Sequence, residues 1–85
     1  MSKRNEIESA VRQIINHTGV AYLFSENQIQ KIVDRLEQQR DSRYTRVNSE
    51  DVKSAITGDI IVKSLVDFGD TDFWIDQIVD IINNK

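Results

Sequence analysis

The sequence predicts an all-α fold, a single small domain of about five short helices that spans residues 1–85. Apolar residues recur at spacings of three and four along most of the chain, which is the periodicity of one helix face. Proline is absent, and each of the three glycines stands between two such runs. A chain of 85 residues is long enough for one domain, so we expect all the runs to share one core.

The first helix is predicted between Asn5 and Gly19. Asparagine is a favourable N-cap residue, and glycine suits the left-handed residue that ends many helices. Glu8 precedes Arg12 by four residues, the order that supports an ion pair on a helix surface. The apolar residues that share one face of this helix are Ile7, Ala10, Val11, Ile14 and Ile15.

Two further helices each begin with a capping box, in which the N-cap residue and the residue three positions later satisfy each other's backbone N–H groups. The two pairs are Ser25 with Gln28 and Asn48 with Asp51. Apolar residues on either side of each cap are spaced to form a hydrophobic staple, Phe24 with Ile29 and Val47 with Val52. We expect the second helix to extend to Arg40 and the third to end at Gly58.

The last two runs, "DIIVKSLVDF" (residues 59–68) and "DFWIDQIVDI" (residues 72–81), share one pattern of polar and apolar positions. On a helical wheel each gives an apolar arc of about 160° at 100° per residue. A helix packed against one core needs an arc only a little wider than about 100°. We therefore predict a C-terminal hairpin of two strongly apolar helices, joined at Gly69.

Composition limits the location of the protein and the charge of its partners. The chain contains no cysteine, no apolar run as long as a membrane span and no apolar segment after its basic start, so we expect a cytoplasmic protein that does not enter membranes. Residues 1–53 carry nine basic and eight acidic side chains, and residues 54–85 carry two basic and six acidic ones. The second part is therefore expected to repel nucleic acid and anionic membranes.

The sequence contains no pattern of catalysis, metal binding or cofactor binding. His17, the one histidine, falls in the last turn of the first helix, where a partial positive charge suits the helix dipole. Asp70 and Asp72 flank Gly69, but a calcium loop places oxygen ligands at alternate positions over about a dozen residues. We expect a non-enzymatic protein with no cofactor and no metal.

The predicted partner-binding residues are Phe73, Trp74 and Ile81. Phe73 falls on the polar side of the last helix, and Trp74 and Ile81 lie on one flank of its apolar arc, at 100° per residue. Aromatic side chains ringed by polar ones are typical of protein interfaces. The competing interpretation is that Trp74 completes the core and that Phe73 folds back over the turn at Gly69. The first functional hypothesis is an interaction or regulatory module that binds another protein, or a second copy of itself as a homo-dimer.

The alternative hypothesis is a nucleic-acid-binding transcriptional regulator. Its site would be a basic patch with one aromatic residue, in and around the polar segment that precedes the third helix. Three nearby acidic residues reduce the charge of this patch, Asp41, Glu50 and Asp51. The residues of the patch are Arg40, Arg43, Tyr44, Arg46 and Lys53.

Overall fold

Four α-helices account for most of the residues that the computed structural model describes, which are 3–41, 46–58 and 66–84. Two short 3-10 turns, Ala21–Leu23 and Gly69–Thr71, precede α2 and α4, and these described segments contain no strand. The prediction of an all-α fold is therefore confirmed over the described part of the chain. The four helices are α1 (Lys3–Thr18), α2 (Glu26–Asp41), α3 (Ser49–Thr57) and α4 (Asp72–Asn83).

The predicted apolar faces form one shared core. Helix α1 packs against α2 and α4, and α4 also contacts α2 and α3. Each face turns its aliphatic residues inward, because burying apolar surface stabilises a fold by about 25 cal/mol per Å². The largest side chains that are fully buried are Ile7, Ile14, Leu36, Ile56, Ile75, Ile78 and Ile82.

Both predicted capping boxes are present. The Ser25 backbone N–H donates to Gln28 Oε1 at 2.8 Å, and the Gln28 N–H donates to Ser25 Oγ at 3.3 Å. The Asn48 and Asp51 pair makes the same two hydrogen bonds, each at 3.0 Å. The predicted staple residues are all buried, namely Phe24, Ile29, Val47 and Val52.

Two predicted helix boundaries differ from those of the described structure. The prediction that Asn5 caps the first helix is wrong, because α1 already begins at Lys3 and includes Asn5. The first helix of the predicted C-terminal hairpin falls mostly on residues 59–65, which lie outside the described residues. Its last three positions, 66–68, are described and are not helical. The run predicted as the second helix of the hairpin corresponds to α4.

One side of α1 is tied to α2 by the guanidinium of Arg4. Arg4 Nη1 contacts Asp34 Oδ1 at 2.7 Å and also bonds Glu37, while Nη2 donates to Gln30 Oε1 at 2.7 Å. These bonds, chiefly the one to Asp34, raise the pKa of Arg4. One cation thus contacts three side chains of α2, and these contacts favour one register of the two helices.

Arg12, two turns further along the same side of α1, makes a second link to α2. Its Nη1 and Nη2 atoms donate to the two carboxylate oxygens of Glu26 at 2.9 and 2.8 Å, and its Nε lies 3.9 Å from Glu8. The hydrogen bonds from Arg12 lower the pKa of Glu26. The link therefore contributes to stability above the ordinary glutamate pKa of about 4.3, and this contribution is lost as the pH falls through the lowered pKa.

The end of α4 is joined to the residue before the cap of α3. Asn83 Oδ1 accepts from the Val47 N–H at 3.0 Å, and Asn83 Nδ2 donates to the Val47 carbonyl at 2.8 Å. Val47 is only 3% exposed, so water would not readily replace this pair of bonds. The sequence suggested no such role for Asn83, which falls among the polar residues of its helical wheel.

Replacing Asn83 with alanine tests this link. Asn83→Ala leaves a buried N–H and a buried carbonyl without partners, which we expect to lower the free energy of unfolding by about 1–3 kcal/mol. Urea denaturation followed by circular dichroism measures the change. Asn84→Ala is the matched control, because Asn84 is exposed and its side chain makes no hydrogen bond within the described residues. Equal effects of the two substitutions would contradict the assigned role.

Candidate partner-binding surface

Phe73 lies on the outside of α4, as the helical wheel predicted. Its side chain is 74% exposed, whereas Ile75 and Ile78 of the same helix are fully buried. The ring of Phe73 meets the ring of Trp74 edge-on, with centroids 6.3 Å apart. This geometry is a favourable one for aromatic pairs, so the two rings form one small aromatic cluster at the start of α4.

Trp74 lies between the core and the surface. It is half-buried and packs against the core cluster, and its ring also contacts His17 at the end of α1, with centroids 5.5 Å apart and the planes tilted by 53°. Both interpretations made from the sequence therefore describe part of this side chain. One side of the tryptophan completes the packing of α4 on α1, and the other side reaches solvent beside Phe73.

A groove between α1 and α4 begins at Trp74. It has a volume of about 270 Å³ and is partly open to solvent. Ala10 is the buried residue among its lining. The residues that line the groove are Glu6, Ser9, Ala10 and Gln13 from α1, and Trp74 and Gln77 from α4. We call Phe73, Trp74 and this groove the Phe73–Trp74 surface.

Ile81 does not join the Phe73–Trp74 surface. Its side chain is 7% exposed and belongs to the core cluster. The sequence placed it on the same flank as Trp74, and that flank turns toward α1, where an aliphatic side chain is covered by neighbours within the chain. The structure therefore brings together Phe73 and Trp74, and it leaves Ile81 in the core.

The outer face of α4 is acidic. Asp72, Asp76 and Asp80 are all exposed, and their spacing of four residues aligns them along one side of the helix. None of them makes an ion pair within the described residues. These segments also contain no group of three or more histidine, cysteine or acidic residues that could hold a metal ion.

The candidate nucleic-acid patch is described only in part. Arg43 and Tyr44 lie outside the described residues. Arg40 is half-buried at the end of α2, with Nη2 at 3.5 Å from Asp41 Oδ1. Arg46 is exposed and makes no ion pair with any residue that the structure describes.

Lys53 has two partners within the chain. Its Nζ lies 3.8 Å from Glu50 Oε1 and 5.7 Å from the centre of the Phe68 ring. A cation over an aromatic face is attracted by the negative face of the ring. Both contacts keep the ammonium group close to its own domain, which weakens its attraction for a phosphate group.

Tyr22 is a second exposed aromatic residue, and the sequence did not indicate it. It is 79% exposed in the 3-10 turn between α1 and α2. The connector "VAYLF" (residues 20–24) is apolar, and Val20 and Phe24 at its two ends are buried. A single tight turn points some side chains of such a short segment outward, and the apolar composition of the connector does not show which ones.

Comparison with known proteins adds no information about function. No protein-family model, curated protein or solved structure matches this chain. Across the described residues, no helix is both long enough and apolar enough to cross a membrane.

The two neighbouring aromatic residues should differ in their effect on stability. Phe73→Ser removes an exposed ring, so we expect the free energy of unfolding to change by no more than about 0.5 kcal/mol. Trp74→Ser removes a half-buried ring that packs on the core and on His17, and we expect a loss of about 1–3 kcal/mol. Urea denaturation measures both, with Tyr22→Ser as a control for an exposed aromatic residue. A large loss for Phe73→Ser would place Phe73 in the core.

Proposed function

We propose that this protein is a non-enzymatic interaction module that binds another protein through the Phe73–Trp74 surface. The observation that carries the proposal is a phenylalanine that is 74% exposed, held edge-on against a half-buried tryptophan at the rim of a groove. A hot spot of a protein interface typically consists of a few aromatic residues near a pocket.

The energetics of aromatic burial support this proposal. A large aromatic side chain covers about 150–250 Å² when it is buried, and it often dominates the energy of an interface. Phe73 gains little of this stabilisation within its own chain. Trp74 already contacts His17, with ring centroids 5.5 Å apart. Its side chain would therefore lose little conformational freedom when a partner binds.

Three further features belong to the proposal. The partner is a protein whose activity the module regulates, with a homo-dimer as the competing form of the complex. The helix predicted over residues 59–68 pairs with α4 as the first half of an apolar hairpin, its last three positions excepted because they are not helical. The protein acts in the cytoplasm, as its lack of cysteine favours.

The alternative function is a nucleic-acid-binding transcriptional regulator. One observation favours it, because Arg46 is exposed and makes no ion pair among the described residues. The partners of Arg40 and Lys53 argue against it, since each of these cations already lies near a carboxylate. The acidic outer face of α4 would also repel a phosphate backbone.

Titration with duplex DNA separates the two functions. If the protein-interaction proposal is right, the protein at micromolar concentration does not bind a labelled duplex at about 100 mM salt. Nonspecific binding requires several lysine or arginine side chains that neutralise phosphates. An electrophoretic shift that weakens with added salt and with Arg46→Gln would instead support the alternative. Tyr22→Ser is the control, because it changes neither the charge of the protein nor a helix cap. Asn48→Gln is not suitable, because Asn48 caps α3.

Affinity capture from an extract of the source cells tests the proposed surface. Wild type, Phe73→Ser and Tyr22→Ser are immobilised at equal density, and captured proteins are quantified by mass spectrometry. We expect at least one protein to be retained by wild type and Tyr22→Ser and to be lost, by about fivefold or more, with Phe73→Ser. The two substitutions remove aromatic residues of similar exposure, 74% and 79%. Identical capture by all three proteins would contradict the proposal.

A further inference from the structure

We infer that the partner docks on the Phe73–Trp74 surface with a basic amphipathic helix, and that the occupant is not a second copy of this chain. The inference rests on the proposed function and adds the chemical nature of the partner. It follows from the charge of α4, from the size of the groove and from the symmetry that a homo-dimer would impose.

The charge next to the aromatic residues has one sign. Asp72, Asp76 and Asp80 are exposed along α4, which contains no lysine or arginine. Successive members of this row are about 6 Å apart along the helix axis, at 1.5 Å per residue. Phe73 follows the first aspartate directly, and Glu6 adds a carboxylate on the α1 side of the groove. A partner that covers Phe73 therefore meets several negative charges that lack a counter-ion within the described residues.

The groove suits an inserted side chain. Its volume of about 270 Å³ lies below the range of about 300–1,000 Å³ that is typical of small-molecule sites. Trp74 forms its apolar wall and Ala10 its most buried part, while Ser9, Gln13 and Gln77 offer hydrogen-bonding groups. One apolar side chain can enter beside Trp74 while polar groups of the partner stay at the rim.

A helix satisfies these requirements together. Lysine or arginine residues four positions apart on a partner helix have the same spacing as the aspartates of α4, and an apolar residue between them can reach the groove. The aliphatic stems of those cations can also cover the ring of Phe73 while their charged ends face the carboxylates. The attraction between the cations of the partner and the aspartates of α4 is stronger at low ionic strength, where fewer ions screen the charges.

A second copy of the chain fits this surface poorly. In a two-fold symmetric dimer the same patch meets itself, so the aspartate rows of both copies would be brought together. Like charges that face each other across an interface oppose association. The whole chain also carries a net charge of −3, which disfavours the encounter of two copies.

Fluorescence anisotropy with designed peptides tests the inference. The probe is a labelled helical peptide with lysines at every fourth position and one leucine anchor on the same face. Two control peptides carry glutamate in place of the lysines, or serine in place of the leucine. We expect the basic peptide to bind, each control to bind at least about fivefold more weakly, and the affinity to fall as salt is raised.

Protein variants locate the binding on the surface. Phe73→Ser should weaken binding of the basic peptide by about fivefold or more. The double variant Asp76→Asn/Asp80→Asn should weaken it by about two- to tenfold and reduce the salt dependence. The matched control is Asp41→Asn/Glu50→Gln, which changes the net charge equally but on α2 and α3. Tyr22→Ser controls for the loss of an exposed aromatic residue, and both controls should bind as wild type does.

Each outcome decides the inference. Equal binding of the basic and acidic peptides, or equal weakening by both pairs of charge substitutions, overturns it. Light scattering that shows a dimer dissociated by Phe73→Ser also overturns it, because the occupant is then a second copy. In that case the proposed function survives in its homo-dimer form. Absence of any peptide binding overturns the basic-helix inference alone, since the capture experiment tests the proposed function independently.

Discussion

Helix α4 packs against α1, α2 and α3 at the same time, and its isoleucines fill the space between them. An apolar arc of about 160° at 100° per residue is wider than contact with one neighbour requires, so several neighbours share it. The remaining arc of the helix has no partner within the described chain. That arc carries the aspartates and Phe73, which means that the requirement for burial on one side of α4 determines what is exposed on the other.

The two flanks of helix α1 make different contacts. Arg4, Glu8 and Arg12 lie on the flank that is joined to α2 by ion pairs and hydrogen bonds. The opposite flank carries polar residues that line the groove, and at its end His17 meets Trp74. The contacts of the first flank favour one register of α1 on α2, and the direct packing of α1 on α4 places the groove of the second flank beside α4.

Local signals in the sequence were sufficient for much of the fold. The capping boxes begun by Ser25 and Asn48 act over three residues, so the sequence contains both partners within one turn, and both boxes are confirmed. The start of α1 was predicted too late, because asparagine is favoured as an N-cap residue but Asn5 lies inside the helix. The bond between Asn83 and Val47 joins positions 36 residues apart. No periodicity encodes such a contact.

The candidate partner-binding surface, like the fold, could be predicted from the sequence only in part. The wheel placed Phe73 outside because its neighbours on that side are polar, and the structure agrees. It could not separate Trp74 from Ile81, since both lie on the same flank and the depth of each depends on how α1 packs there. The exposed ring of Tyr22 was missed because three residues of a 3-10 turn are too few to define a face.

The distance in sequence between Val47 and Asn83 also has a consequence for synthesis of the chain. A ribosome adds about 5–20 residues per second, so the 36 positions between these partners take about 2–7 s to make. Single helices form within about a microsecond. Helices α1 and α2 are therefore synthesised seconds before α4. The apolar faces that α4 covers stay exposed to water until α4 has been made. During that interval the nascent chain offers those faces to chaperones, and to other nascent chains with which it can aggregate.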